Sequence, residues 1–414
     1  MKNIKKSQLW SKDFSCITVA TILSVIGGEA MNLPISLLVF SETQSTFLSS
    51  LIMVCGMLPD ILLPVLVAPL IDKGGKKKWI VNLDLMMFLI YIVMGLWISN
   101  HQFNYYLYII FVLITGTISV FYRLAYQAWY PDLIPVGHEQ KGYAVSATIY
   151  PVVTIIMSPI AAFLYDTISI GNIFLIVAGI TLISVLIESL IKETRKKSKQ
   201  RYTLEQYFKD LREGFSYLKN EKGIRNIYTY MSITNGTSHG IVLLTQAYYQ
   251  TAPWLSVTMF GLLKSAEMIG RFMSGIFQYV LEIPVKKRYA FTKFVYIFYN
   301  LMDGILLFMP YPLMLVNRFI CGGLGTSSAT IRETAVKSYL PQHMRARISA
   351  FFNMIFAVGG VLSQMLAGVL GQVMSYKVAA VCMSCIPMMS VFFLIILPDK
   401  QNRPVYEATR VERE

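Results

Sequence analysis

The chain is a succession of long apolar stretches cut by short polar connections. About twelve such stretches run approximately over 15–40, 47–71, 78–98, 105–127, 145–165, 171–191, 226–248, 255–280, 289–309, 312–331, 346–373 and 377–397. Each is near the ~20 residues that an α-helix needs to cross a bilayer. Apolar side chains occur on all sides of each stretch, without the alternation that a lumen-facing strand requires. The pattern therefore predicts membrane-spanning helices rather than a barrel. The run from Phe14 to Phe40 is too long for a signal-peptide core and has no obvious small-residue cleavage site, so it reads as the first span.

The connections fall into two kinds. Lys and Arg crowd alternate ones: Lys73, Lys76, Lys77 and Lys78 in one, Lys286, Lys287 and Arg288 in another, and the whole stretch from Lys192 to Arg225. The intervening connections, near Ser41–Thr46, Ser99–Tyr105, Asp166–Gly171, Tyr249–Leu255 and Pro310–Pro312, carry no Lys or Arg. Basic loops stay cytoplasmic, so the alternation predicts a multi-pass protein of the cell membrane with both termini inside. A net charge of +14 in a soluble protein would suggest nucleic acid. Here it is spread over the inner loops, where anionic lipids are its natural partners and nucleic acid is not. The five cysteines all lie in apolar stretches, and Cys382-x-x-Cys385 has no second pair or histidine cluster to complete a metal site. Neither metal nor cofactor is expected.

The basic connection divides the chain into an N-terminal bundle of six helices (1–191), a linker (192–225), a C-terminal bundle of six helices (226–398) and a cytoplasmic tail (399–414). Within the linker, Leu204, Tyr207, Phe208, Leu211, Phe215 and Leu218 recur at helical spacing among charges. This predicts an amphipathic helix on the inner membrane surface. Two equal halves joined by a cytoplasmic linker suggest a transporter built from parallel repeats.

The connection after the second stretch reads Ala68-Pro-Leu-Ile-Asp72-Lys73-Gly-Gly75-Lys76-Lys77. It resembles the loop signature of the major facilitator superfamily, roughly G-x-L-a-D-R-x-G-R-R, with Ala68 in place of the first glycine. Further matches follow in order: Trp129-Tyr-Pro131-Asp132-Leu-Ile-Pro135, Asp210-Leu-Arg212-Glu213-Gly214-Phe-Ser-Tyr217-Leu, Tyr339-Leu-Pro341 and Arg345-Ala-Arg347. Together they resemble the macrolide-efflux-type drug exporters of that superfamily. The resemblance implies an all-α integral membrane fold of two six-helix bundles rocking about a ligand cavity. It also implies export of a drug-like or amphipathic small molecule against protons, possible as a monomer. By the same resemblance Asp72, Gly75, Lys76, Asp84 and Arg123 form a cytoplasmic gate. One departure stands out. Proton-coupled drug exporters carry a Gly-Pro…Gly-Gly pattern in span five, where this chain has Ser158, Pro159, Ala161 and Ala162. Small residues and a proline remain, while the glycines are missing.

Charges within the spans need a partner, a watery cavity or a proton, because an unpaired charge at mid-bilayer costs on the order of 2.5–3.5 kcal/mol. Counting from the loops puts Glu29 and Asp60 at one depth near the middle of the bilayer, and His239 and Glu267 at another. These four are the candidates for proton coupling or substrate contact, with Na⁺ as the alternative ion. Lys264, Glu267 and Arg271 share a helical face as an ion ladder. Asp84 with Arg123, and Asp303 with Arg318, are level across their hairpins and read as buried ion pairs. Tyr122, Tyr126, Tyr150, Tyr248 and Tyr249 are candidates for an aromatic ligand cavity. No P-loop is present, so ATP is not the direct energy source. The competing readings are export of a self-made siderophore, peptide or lipid-like metabolite, a membrane-embedded lipid enzyme, and a transport-dead sensor. No metal-spaced His/Asp/Glu set or activated nucleophile supports the enzyme.

Overall fold

The computed structural model describes residues 9–73, 75–192, 204–280, 283–341 and 344–408, and among them it contains helices and no strand. The helices are α1 (Lys12–Thr43), α2 (Thr46–Lys73), α3 (Lys76–Asn100), α4 (Tyr105–Leu133), α5 (Glu139–Thr167), α6 (Ile170–Ser189), α7 (Leu204–Asn220), α8 (Lys222–Thr251), α9 (Val257–Val280), α10 (Val285–Ile305), α11 (Tyr311–Tyr339), α12 (Arg345–Val373), α13 (Tyr376–Ser390) and α14 (Asp399–Tyr406). Twelve of them, α1–α6 and α8–α13, coincide with the twelve apolar stretches. Among the described residues, eight helices are long and apolar enough to cross a membrane by length and composition. Of the other four, α2 is apolar over its described stretch Thr46–Ile61, and three carry more polar residues. α9 carries Lys264, Glu267 and Arg271, α11 carries Arg318, Arg332 and Glu333, and α8 is rich in Thr, Asn and Ser. These are helices that need more than lipid around them.

Local chemistry sets several boundaries. Asn104 begins α4 by accepting from the backbone N–H of Tyr106 and Leu107 at 3.1 and 3.3 Å. Ser169 likewise caps α6 through Asn172 N–H. α13 runs on into a wide π-helical turn over Val391–Ile396, where Leu397 N–H reaches Phe392 C=O. Such a turn leaves carbonyls short of donors. Asn402 Nδ2 serves those of Leu394 (2.7 Å) and Ile395 (3.2 Å), and the Tyr289 hydroxyl also donates to Ile395. These bonds seat α14, as do Lys293 Nζ on Asp399 (2.9 Å) and the Tyr296–Tyr406 hydroxyl contact (2.9 Å).

The chain folds as two compact units, residues 1–38 with 58–204 and residues 39–57 with 205–414. In the first, α3 lies along α6 at backbone distance. A Cβ on Gly171 would stand 2.3 Å from Ser99 Oγ and 3.0 Å from Gly95 C=O, so only glycine fits. Phe14, Ile17, Ile71, Ile80, Trp129 and Tyr130 pack one end of this unit. The second unit repeats the device in α9 with α11. A Cβ on Gly322 would come within 2.2 Å of Glu267 C=O. It also contains the tip of the α1–α2 hairpin. Thr46 Oγ1 donates to Gly368 C=O at 2.8 Å, and Gly368 leaves room for Ser50.

Candidate functional site

The loop signature closes one end of the first unit. Gly75, in extended conformation, caps α3 and turns the chain back from α2. Lys76 at the start of α3 donates to Ala128 C=O at 2.5 Å and pairs with Asp132 at 3.2 Å. Two of the quoted motifs, Gly75-Lys76-Lys77 and Trp129–Pro135, are therefore bound to each other. Asp132 was not singled out from sequence, although its place in the second motif marked it. The Asp72 side chain, assigned to the same gate, lies outside the described residues, as do the side chains of Asp210, Leu211, Arg345 and Arg347.

Arg123 and Asp84 do not form the expected ion pair. Arg123 Nη2 instead binds Asp60 Oδ1 at 2.6 Å, with both side chains nearly half exposed. At this depth in the membrane, separating the partners would leave each charge unpaired at a cost of about 2.5–3.5 kcal/mol. Asp84 faces the opposite way and is buried against α6 near Ser184 and Glu188. The reason is azimuth. Depth along a helix fixes a level, but Asp84 points from α3 into the α6 packing face while Arg123 points from α4 toward α2.

With Asp60 engaged, Glu29 is the mid-span carboxylate of this unit left without a partner. It is half-buried on α1, and no hydrogen bond or ion pair holds it among the described residues. About two turns away, Thr21 contacts the Tyr126 hydroxyl at 3.2 Å. On α5, Ser158 and Ala162 are buried, and Pro159 is half-buried. The Ser158 hydroxyl and that of Thr154, one turn earlier, are buried without a hydrogen-bond partner. In place of the glycine pattern, α5 thus presents small polar groups.

In the second unit the ionisable residues form a connected set. Arg271 holds Glu267 through two donors, at 2.6 and 3.1 Å, one helical turn apart. Asp303 accepts from Arg318 Nη2 at 2.5 Å, with both side chains more than nine-tenths buried. Asn317 completes this pair by accepting from the same guanidinium at 2.9 Å, and Tyr299 lies under it at 5.9 Å. Neither Asn317 nor Tyr299 stood out in the sequence. Lys264 is half-buried on the same helix as Glu267 without an ion pair, and His239 is exposed along α8 and is not bonded to Glu267.

The five tyrosines read as a possible cavity do not behave alike. Tyr122 and Tyr126 stack at 6.3 Å and continue into Tyr130 at 5.1 Å. Tyr249 is fully packed against Phe260, with its hydroxyl on Met314 Sδ at 3.1 Å. Tyr150 is exposed, and Tyr248 stacks edge-on against Trp254. Only Tyr122 and Tyr126 stand beside the α1 face that carries Thr21 and Ser24.

Long apolar helices with charged residues held inside them fit a multi-pass membrane protein that handles an ion or polar ligand within its spans. The chain matches the Major Facilitator Superfamily model over residues 17–302, and it belongs to that family. Macrolide efflux protein A of Streptococcus pyogenes is 20% identical over 280 residues, covering 66% of this chain and 69% of that protein. Solved transporters share the fold. The nucleoside transporter NupG superposes with a TM-score of 0.70 at 12% identity, covering 92% of this chain and 98% of that one. A bacterial homologue of the human lysosomal transporter Spinster gives a TM-score of 0.64 at 13% identity, covering 98% and 95%. A POT family transporter bound to 5-aminolevulinic acid gives 0.68 at 10% identity, covering 94% and 96%. The protein is a multi-pass membrane transporter with the major facilitator fold.

Proposed function

We propose that this transporter exports an amphipathic, drug-like small molecule from the cytoplasm in exchange for protons, by alternating access. The observation that carries the coupling is Glu29, a mid-span carboxylate on α1 that no cation neutralises. Such a group is stable in the membrane when protonated or when a cationic ligand sits on it, and the two states exclude each other. That exclusion is the chemistry of an antiporter. Binding of a proton releases a cationic substrate, and binding of the substrate displaces the proton.

The gate follows from the pairs already described. Lys76 with Asp132 ties the start of α3 to the end of α4, and Arg123 with Asp60 joins α4 to the middle of α2. Asp72 joins them on the strength of the loop signature, while Asp84 has no part in them. The inner face is the one carrying Lys76–Lys78 and the central linker, from the charge bias of the loops. A cysteine at Ser216 should then resist an impermeant thiol reagent added to intact cells, and one at Asn100 should react. The reverse pattern overturns the orientation.

The likeness to a macrolide efflux protein supports export of a bulky amphipathic compound. Expression in a pump-deficient host should lower intracellular accumulation of at least one macrolide or comparable amphipathic cation, and Glu29→Gln should abolish the effect with the protein still in the membrane. A full panel of such drugs with unchanged accumulation would sink the drug reading and favour a self-made metabolite.

A further inference from the structure

Inside the first unit, away from Glu29 and from the Arg123–Asp60 pair, two carboxyl groups are buried together. Asp84 on α3 is 7% exposed and Glu188 on α6 is 0% exposed. Both lie on the packed helices α3 and α6, between the Lys77–Ser189 and Ser99–Gly171 approaches. Among the described residues no ion pair holds either acid. Tyr122 on α4 donates to Glu188 Oε1 at 3.1 Å, and Ser184 on α6 reaches Asp84. Ser24 on α1 reaches Tyr122 and contacts Ser184 Oγ at 3.5 Å, and Tyr91 on α3 lies within range of the Asp84 charge. Two described cations of this unit are committed elsewhere. Lys77 Nζ caps the Ser189 carbonyl at 2.7 Å, and Arg123 holds Asp60 at 2.6 Å. Asp84 Oδ2 and Glu188 Oε2 are buried with no hydrogen-bond partner.

Two ionised carboxylates in this place would each lose hydration worth several kcal/mol and would repel one another without a compensating cation. Hydroxyl donors soften that cost but do not cancel two charges. One proton does both jobs. It removes one charge, and it makes one of the two unpartnered oxygens a donor, so the pair becomes an acid and a carboxylate.

We infer that Asp84 and Glu188 form a proton-holding site between α3 and α6, one proton serving both carboxyl groups in the packed unit. The site stands apart from the export reading, since it holds its proton whether or not the chain exchanges protons for substrate. The proton also has a structural consequence. The α3–α6 contact is a glycine-mediated approach at its Gly95–Gly171 end, and two like charges at the Asp84–Glu188 end would push it apart.

The test is infrared spectroscopy of the purified full-length protein in lipid, comparing H₂O with D₂O at neutral pH. A carboxylic-acid carbonyl band sensitive to deuteration is expected in the wild type and is expected to be missing from D84N/E188Q. An unchanged band in the double variant overturns the proposal. Should that variant fail to fold, E188Q alone decides. Its acid band should be lost or moved in frequency relative to wild type, and an identical band overturns the site. Radioactive Na⁺ supplies the rival ligand. Equilibrium binding to wild type should not exceed binding to the double variant, and Na⁺ binding that E188Q removes would replace the proton with sodium.

Discussion

The two units handle buried acid in opposite ways. In the second, Asp303 is locked to Arg318 at 2.5 Å with Asn317 supporting the guanidinium, so the charge is neutralised by a side chain that cannot leave. In the first, no ion pair among the described residues holds Asp84 or Glu188, and neutrality has to come from an ion that can leave. The partner's mobility, more than the acid's burial, separates a structural charge from one able to take part in transport. Glu29 belongs with the mobile class, and Glu267, held by Arg271 one turn away, with the fixed one. Of the four candidates, Asp60 and Glu267 each hold an arginine, while Glu29 and His239 have no ion-pair partner among the described residues.

The sharpest way to break this contrast is to remove one member from each cluster. Arg318→Met leaves Asp303 buried and unpaired, and should cost about 3–5 kcal/mol of stability in detergent. Arg318→Met combined with Asp303→Asn should recover most of that loss. Glu188→Gln imitates the protonated acid and should move stability by less than about 1 kcal/mol. Equal losses from the two single variants would erase the distinction between fixed and mobile neutralisation.

A smaller effect concerns the glycine contacts, which the units share. Gly322→Val puts side-chain atoms into the Glu267 carbonyl, and Gly171→Val puts them into Ser99 and Gly95. Each should lower thermal stability by about 1–3 kcal/mol. The Gly322 variant should in addition disturb the Glu267–Arg271 pair that sits on the same turn, seen as a changed accessibility of a cysteine placed at Met268, next to Glu267 on α9. Gly171→Val should leave that readout alone.

The smallest effect is confined to the end of the second unit. The hydrogen bond from Lys293 and the neighbouring Arg403 hold the Asp399 carboxyl below its ordinary range. A depressed carboxylate contributes its stability above its unfolded pKa and loses it as pH falls through the folded value. Protease protection of α14 should therefore be unchanged from neutral pH down to about pH 4 and weaken only below it. Asp399→Asn should show the weakened protection already at neutral pH.

Much of the fold is legible in the sequence because its cause is one-dimensional. Span length answers to bilayer thickness, so counting is enough to locate the helices. Side-chain partners are a different matter. Asp84 and Arg123 share a depth and Asp60 sits one helix away, yet helix rotation sends Arg123 to Asp60. Nothing in the spacing encodes that rotation, because each helix is apolar around most of its circumference. Glu188 escaped notice for another reason. It stands four residues before Lys192, where the apolar run gives way to the basic connection, and there an acid reads as an interfacial residue. Its complete burial comes from Tyr122 and Ser184 closing over it. Lys76 and Asp132 were recoverable in principle, since each lies in a quoted motif, but the motifs had to be brought into contact by the α2–α3 and α4–α5 turns.

The central claim is exchange of substrate for protons through Glu29, and one measurement addresses it directly. Purified protein in proteoliposomes with an acidic lumen and an alkaline exterior should concentrate a macrolide inside, as protons leave and drug enters. Collapsing the pH gradient should release it. Glu29→Gln, fixed in the neutral state that releases a cationic substrate, should bind the drug weakly and fail to accumulate it. Wild-type vesicles that show no gradient-dependent accumulation, or a Glu29→Gln variant that accumulates drug as well as wild type, would contradict the account.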